Sequence, residues 1–317
     1  MQTQEMRRPL WVWNTYEIIS SSTTTTQLLS AAVQASVTDF YLYLDASHYE
    51  KYHELITQFN AASSAANIRV WALEGGSVYF SDADGPSHFY RNIENLIRFN
   101  DQAPPDGKFF GFSADLEPYA KGEWTSFHNG IKGSDLDATP GTGVWKGSQA
   151  ADRAALMQDW VDIHHTAKAM LSVAGWPFAA AFPHWKCNYF GEPLQVRWPD
   201  EKAPLRRVME LLMESVDDYV VMSYHTDPQN ASRRVGDEVE YATALRRMGR
   251  EHRPRVFAAV ETIQGVGASV SYGDHALKRS RAAVLRDVEA ITATLRRYDA
   301  FGGVAIHAWS GWKKLPE

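Results

Sequence analysis

The chain has 317 residues, a formal net charge of −6 and no basic block, which argues against nucleic acid as a partner. Its 44% hydrophobic and 22% charged residues are those of a folded globular protein, and no apolar run approaches the roughly 18 residues of a membrane span. A single cysteine, Cys187, excludes an intrachain disulfide and a thiolate metal cluster.

The N-terminal stretch MQTQEMRRPLWVWNT lacks the apolar region and small-residue cleavage site of a secretory signal. The expectation is a cytoplasmic protein, or a secreted one if a signal has been removed; NAS at Asn230 fits the glycosylation sequon. Eight short apolar runs follow along the chain. They are LWVWN (10–14), DFYLYLD (39–45), IRVWALE (68–74), FFGFSADLE (109–117), PFAAAFPHW (177–185), DYVVMSYH (218–225), RVFAAVE (255–261) and GGVAIHAW (302–309). Rich in β-branched and aromatic residues and bounded by Gly, Pro or Asp, they read as buried parallel strands.

Between them lie stretches with apolar residues at helical spacing, such as YEKYHELITQFNAASSAA, HFYRNIENLIRFN, PLRRVMELLMESV and RAAVLRDVEAITATLRRYDA. His164 and His165, in the fourth of these helices, read as surface residues. Eight strands alternating with helices predict a single (β/α)₈ barrel over residues 1–317, its last helix reduced because only KKLPE follows the last strand pattern. A doubly wound open sheet is the rival, but no G-x-G-x-x-G follows the first strand. Two connections are long: residues 118 to about 149 carry Trp124 and Trp145, and residues 183–202 carry His184, Trp185, Tyr189 and Trp198. Long loops in a compact domain are more often functional than accidental.

In such a barrel the strand C-termini converge on one rim. They supply Trp13 and Asn14, Asp45, Glu74, Asp115 and Glu117, His184 and Trp185, Tyr224 and His225, Glu261, and His307 and Trp309. The opposite ends carry fewer ionisable groups, chiefly Asp39, Arg69, Asp218 and Arg255. Side chains alternate along a strand, so Ser113, Asp115 and Glu117 share a face, and two carboxyls this close raise one another's pKa. Glu261 would face Glu117 across the mouth. Paired carboxylates in a pocket lined by aromatic rings are the equipment for cleaving a glycosidic bond, with no cofactor.

LEP (116–118) ending strand four and Glu261 in VET ending strand seven resemble the clan of retaining barrel glycosidases, with Leu116 where that clan has Asn. The resemblance implies Glu117 as acid/base and Glu261 as nucleophile. FGFSADLE (110–117) is also similar to the strand-four D-G-x-D-x-D-x-E pattern of the family 18 chitinases, with Phe110 and Ser113 replacing two aspartates. VMSYH (221–225) resembles their strand-six Met-x-Tyr-Asp, and GGVAIHAW their closing strand. That resemblance implies Glu117 as acid, with Asp115 and Tyr224 holding a substrate acetamido group that attacks from within.

The expected function is therefore a glycoside hydrolase or transglycosylase acting on a carbohydrate or sugar-like molecule. Catalysis falls to Glu117, Asp115 and Glu261. Trp13, Asn14, Asp45, Glu74, His184, Trp185, Tyr224, His225, His307 and Trp309 are candidates to bind the substrate. Asp45 and Glu74 could equally cap helices. Two alternatives stand beside this reading. One is a metal-dependent hydrolase on the same barrel, although the His-x-His that strand one would need is absent from WVWNT; the other is a sugar-binding barrel without catalysis.

Overall fold

The computed structural model describes residues 5–80, 84–118, 124–125, 132–133, 150–189 and 192–317. Eight parallel strands close into a barrel: β1 Pro9–Val12, β2 Asp39–Tyr43, β3 Arg69–Gly76, β4 Gly111–Leu116, β5 Phe178–Pro183, β6 Asp218–Met222, β7 Arg255–Glu261 and β8 Phe301–His307. Neighbours in the ring are neighbours in the chain, and β8 closes on β1 with Leu10 opposite Ile306. The expected (β/α)₈ barrel is present.

The helices are α1 Thr15–Ile19, α2 Ser22–Gln34, α3 Ala46–Lys51, α4 His53–Ala65, α5 Gly85–Gln102, α6 Ala150–Ala174, α7 Val208–Glu214, α8 Pro228–Arg233, α9 Gly236–Arg247, α10 Arg281–Leu295 and α11 Trp309–Trp312. The four-residue α11 is the reduced last helix. Residues 49–66, one helix by periodicity, divide between α3 and α4 because Tyr52 leaves helical geometry at φ −123°, ψ 23°. Residues 205–207 pair antiparallel with 195–197, which delays α7 to Val208. Among the described residues, no helix is long and apolar enough to cross a membrane.

Alternation along the strands builds two cores. Trp11, Tyr41, Trp71, Leu73 and Phe257 point into the barrel, where Ala179, Ala181, Ala259 and Ala305 leave room for the rings. The other parity, with Leu10, Phe40, Val70, Phe112, Phe178, Tyr219, Val256 and Val304, packs outward against the helices. Each large apolar side chain so buried contributes roughly 1.5–3 kcal/mol. His164, expected at the surface, is fully buried: α6 lays it on Phe178 and Phe182, 6.0 and 5.1 Å between ring centres. Its Nδ1 bonds the Trp160 carbonyl at 2.7 Å, and burial pushes its pKa down to about 4.

The N-terminal end of the barrel is closed by an ionic plug. Arg7, immediately ahead of β1, donates to Asp39 through Nε (2.9 Å) and Nη2 (2.6 Å), and through Nη1 to Asp218. Arg69 braces Asp39 and Arg255 braces Asp218 from outside, at 2.9 and 2.8 Å, while Trp71 Nε1 donates to Asp39 at 2.8 Å. Arg7, Asp39 and Asp218 are all at most 3% exposed, which is tolerable for charges only because every one is paired and hydrogen-bonded. The four charged residues noted at these strand ends thus belong to a structural device, with Arg7 at its centre. Asymmetry between the two barrel ends follows: ions locked in pairs below, carboxyls facing an opening above.

Candidate active site at the barrel mouth

Phe112, Ala114 and Leu116 of β4 pack outward, so Ser113 and Asp115 face the interior. Asp115 is 8% exposed, and its Oδ1 accepts no hydrogen bond from any described residue. Burial, then the neighbouring Glu117 carboxylate, push the Asp115 carboxyl up to about 7 against the opposing field of His307. Glu117 follows directly after the strand, half-buried, its N–H 3.4 Å from the Gly76 carbonyl so that the β3–β4 ladder continues past the last strand residue.

On the β7–β8 side Glu261 and His307 are register partners. His307 Nδ1 lies 2.7 Å from Glu261 Oε2, and Glu261 Oε1 accepts the N–H groups of Thr262 and Ile263, each at 2.7 Å. Glu261 is 4% exposed with both oxygens occupied. Trp13 Nε1 donates to His307 Nε2 at 2.9 Å, and the Trp13 ring packs on Tyr43 at 5.5 Å. Tyr224 stacks on His307, 5.7 Å and 28° between the rings. Burial and the fields of Glu261, Asp115 and Glu117 hold the Tyr224 hydroxyl protonated, well above the usual phenol range. Burial works against charge on His307, but its bond to Glu261 and the fields of Glu261, Asp115 and Glu117 raise its pKa overall. Asp115, Glu117, Tyr224, Glu261, His307 and Trp13 therefore form one electrostatically linked group at the C-terminal mouth.

The remaining candidates are placed otherwise. Glu74 has the outward parity of Val70 and Ala72; its Oε2 accepts from Asn92 on α5 and its Oε1 from Gly75 N at 3.1 Å. This corrects its expected position at the rim, since alternation turns it into the helix layer. There it lines a cavity of about 320 Å³ with Tyr43, Asp45 and Tyr79, and burial pushes its pKa up to about 7. Asp45 caps α3, Oδ1 accepting from Ser47 N at 2.8 Å and His48 N at 3.2 Å. Asn14 is exposed and donates to Glu17. His184 and Trp185, both half-buried, open the turn after β5, and Trp185 packs against the outer core. His225 accepts from Asp227 N at 2.9 Å, its pKa lowered by burial and by Arg234. Trp309 is 5% exposed within the outer core, a packing position in place of an open stacking platform. Trp198 lies on His165, 4.0 Å between ring centres, against α6. Trp145 lies outside the described residues, as do the side chains of Trp124 and Tyr189.

Two residues of the mouth escape a list of strand-end polar groups. Tyr43 continues the inward parity of Tyr41, and Gly75 that of Trp71 and Leu73; alternation along β2 and β3 is the signal that finds them. A cavity of about 680 Å³ lies at the other end of the barrel, lined by Arg69, Phe110, Trp176 and Pro177, and touches none of the mouth carboxyls. Among the described residues no group of three or more His, Cys, Asp or Glu is arranged to hold a metal ion.

No protein-family model matches the sequence, and no curated protein matches it. Among solved structures the chain is similar to a chitinase from Chromobacterium violaceum at 13% identity and TM-score 0.48, covering 98% of this chain and 96% of that one. It is similar to a Cellulomonas fimi endo-β-1,4-mannanase at 11% identity and TM-score 0.49, covering 97% of this chain but 66% of that one. A D-psicose 3-epimerase from Clostridium cellulolyticum matches at 11% identity and TM-score 0.45, covering 92% of this chain and 99% of that one. These likenesses extend no further than the fold.

Proposed function

We propose that the protein is a glycoside hydrolase whose reacting groups are Glu117 and Asp115, acting on a sugar that carries a 2-acetamido group. The observation that carries this reading is Asp115: a carboxyl shut into the mouth beside Glu117, pushed up to about 7, with one oxygen accepting nothing from the described residues. Such an oxygen suits an N–H donor of the substrate, because an unmatched buried acceptor costs free energy that a bound donor recovers.

Glu117, nearer the opening, gives its proton to the glycosidic oxygen as the C1–O bond breaks. Asp115 accepts the acetamido N–H, and the acetamido oxygen attacks C1 to close a five-membered ring, its position supported by the Tyr224 hydroxyl. Water then adds to C1, gives its proton to Glu117 and opens the ring, restoring the acetamido group and the starting protonation. Glu261 is less suited to be the nucleophile of the retaining clan, since Oε1 and Oε2 are both hydrogen-bonded within the protein.

The test is product analysis on a panel of glycans, half of them N-acetylated, in the presence of a chelator. Cleavage of the N-acetylated members, reduced by about 10²–10⁴-fold in Glu117→Gln, is the expected result. Cleavage that returns only with added metal, or no cleavage of any glycan, overturns the proposal, the first in favour of a metal-dependent hydrolase and the second in favour of a sugar-binding barrel.

A further inference from the structure

Trp13, His307 and Glu261 lie in one hydrogen-bonded line across the ends of β1, β8 and β7, with steps of 2.9 and 2.7 Å. The indole nitrogen can only donate. His307 Nε2 must therefore present a lone pair, and the proton of the neutral ring sits on Nδ1, shared with Glu261. The far oxygen of Glu261 is held by two backbone N–H groups of its own turn, so the carboxylate cannot rotate without breaking both bonds.

We infer that Glu261 is a positioning residue acting through His307: it fixes the imidazole as the Nδ1–H tautomer, and the imidazole in turn holds the Trp13 indole at the rim of the sugar pocket. Its effect on turnover rests on the glycosidase reading above; the hydrogen-bond relay itself does not.

The neighbours of His307 are consistent with such a role. Trp11 and Trp13 face it from β1, Tyr224 from beyond β6, Glu261 from β7, and Asp115 and Glu117 from the end of β4. The charges among them are carboxylates, which favour protonation of the ring, while the indole donor favours the neutral ring. The relay thus has two states. With a neutral ring Trp13 is held; with a protonated ring Nε2 becomes a donor and the Trp13 bond is lost.

Glu261→Gln gives a sharp test, because the clamp chooses the amide's orientation. Thr262 N and Ile263 N require an acceptor, so the amide oxygen takes the Oε1 place and the NH₂ group faces His307 Nδ1. Nδ1 must then accept, the proton moves to Nε2, and Trp13 meets an N–H instead of a lone pair.

The experiment is nitrogen NMR of the full chain with ¹⁵N-labelled histidine, His307 being assigned by the signals that vanish in His307→Gln. The expected result is the Nδ1–H tautomer in the wild type and the Nε2–H tautomer in Glu261→Gln. In parallel, kcat/KM on a cleaved glycan should fall by up to about 100-fold in Glu261→Gln through misplacement of the rim, against roughly 10⁶-fold for loss of a nucleophile. Should Glu261→Gln fail to fold, Trp13→Phe removes only the indole donor and should raise the His307 pKa. An Nε2–H tautomer in the wild type, or an unchanged tautomer in Glu261→Gln, overturns the relay. A sugar covalently trapped on Glu261 overturns its positioning role. A wild type that cleaves no glycan but shows both expected tautomers supports the relay and removes only the substrate reading.

Discussion

Gly75 and Asp115 are register partners on β3 and β4, and a methyl group added to Gly75 would lie 2.8 Å from the Asp115 carbonyl oxygen and 3.0 Å from its Cβ. The contact is with backbone, so no rotamer change relieves it. Gly75→Ala should cost about 1–3 kcal/mol of stability by overpacking. It should also shift Asp115, lowering kcat on any glycan the protein cleaves. Urea denaturation and steady-state kinetics of the variant check both parts; full activity in a destabilised variant would show that the position of Asp115 is not critical.

Asp115 also sets a pH dependence of opposite sign to that of most aspartates. Its folded-state pKa of about 7 lies above the ordinary 3.8, so between those values the folded protein holds a proton that the unfolded chain has released. This contribution to stability is complete below about pH 4 and is lost as pH rises through about 7. Asp115→Asn removes the ionisation. The variant should gain on the wild type as pH rises, by up to about 4 kcal/mol at pH 8, and denaturation midpoints at pH 5 and pH 8 measure it.

Asp39 behaves in the reverse way. Burial alone would raise its pKa, but the hydrogen bonds and charge of Arg7, and then Arg69, hold it below the usual range. Its stabilising contribution is therefore present above the ordinary carboxylate pKa and is lost as pH falls through the lowered folded value. Asp39→Asn leaves Arg7 with only Asp218 as a charged partner in the barrel floor, and should cost about 3–5 kcal/mol at pH 7. Acid should then destabilise the variant less steeply than the wild type. Chemical denaturation from pH 2 to pH 7 tests the size and the slope together.

The barrel is legible in the sequence because a strand buried on both faces needs a short continuous apolar run, and eight such runs recur between helical stretches. The inward direction of Asp115 is legible for a related reason: it shares the parity of Ser113, while the apolar Phe112, Ala114 and Leu116 take the alternate positions. Applied to β3, the same rule turns Glu74 outward, since Trp71 and Leu73 occupy the inward positions; a list of strand-end residues conceals this. Contacts between strands are another matter. Glu261 meets His307 only because β7 and β8 pair in one register, the two residues being 46 positions apart in sequence. Arg7 reaches Asp39 and Asp218 across 32 and 211 residues, and no local pattern at Arg7 announces either partner.

Glu74 offers a contrast to Asp115, because both carboxyls are pushed up to about 7 by burial while only one faces the mouth. The Tyr79 hydroxyl and Gly75 N–H favour ionised Glu74, but burial outweighs them and nearby Asp45 adds to it. Asn92 donates to Glu74 Oε2, yet its own Oδ1 is buried without a hydrogen-bond partner among the described residues. In Glu74→Gln the new amide can keep the Asn92 donor on its oxygen, but its NH₂ then takes the Oε1 place and faces the Gly75 N–H, so that bond is lost. The substitution thus removes a carboxylate that is costly to ionise, against the loss of the single Gly75 bond. Stability at pH 8 should rise by up to about 3 kcal/mol, with a smaller gain at pH 5, where Glu74 is already protonated. Turnover of a cleaved glycan should stay unchanged, since Glu74 lies in the helix layer. Paired measurements of urea midpoint and kcat/KM decide: a fall in kcat/KM comparable to that of Asp115→Asn would mean that the 320 Å³ cavity beside Tyr43 belongs to the catalytic pocket after all.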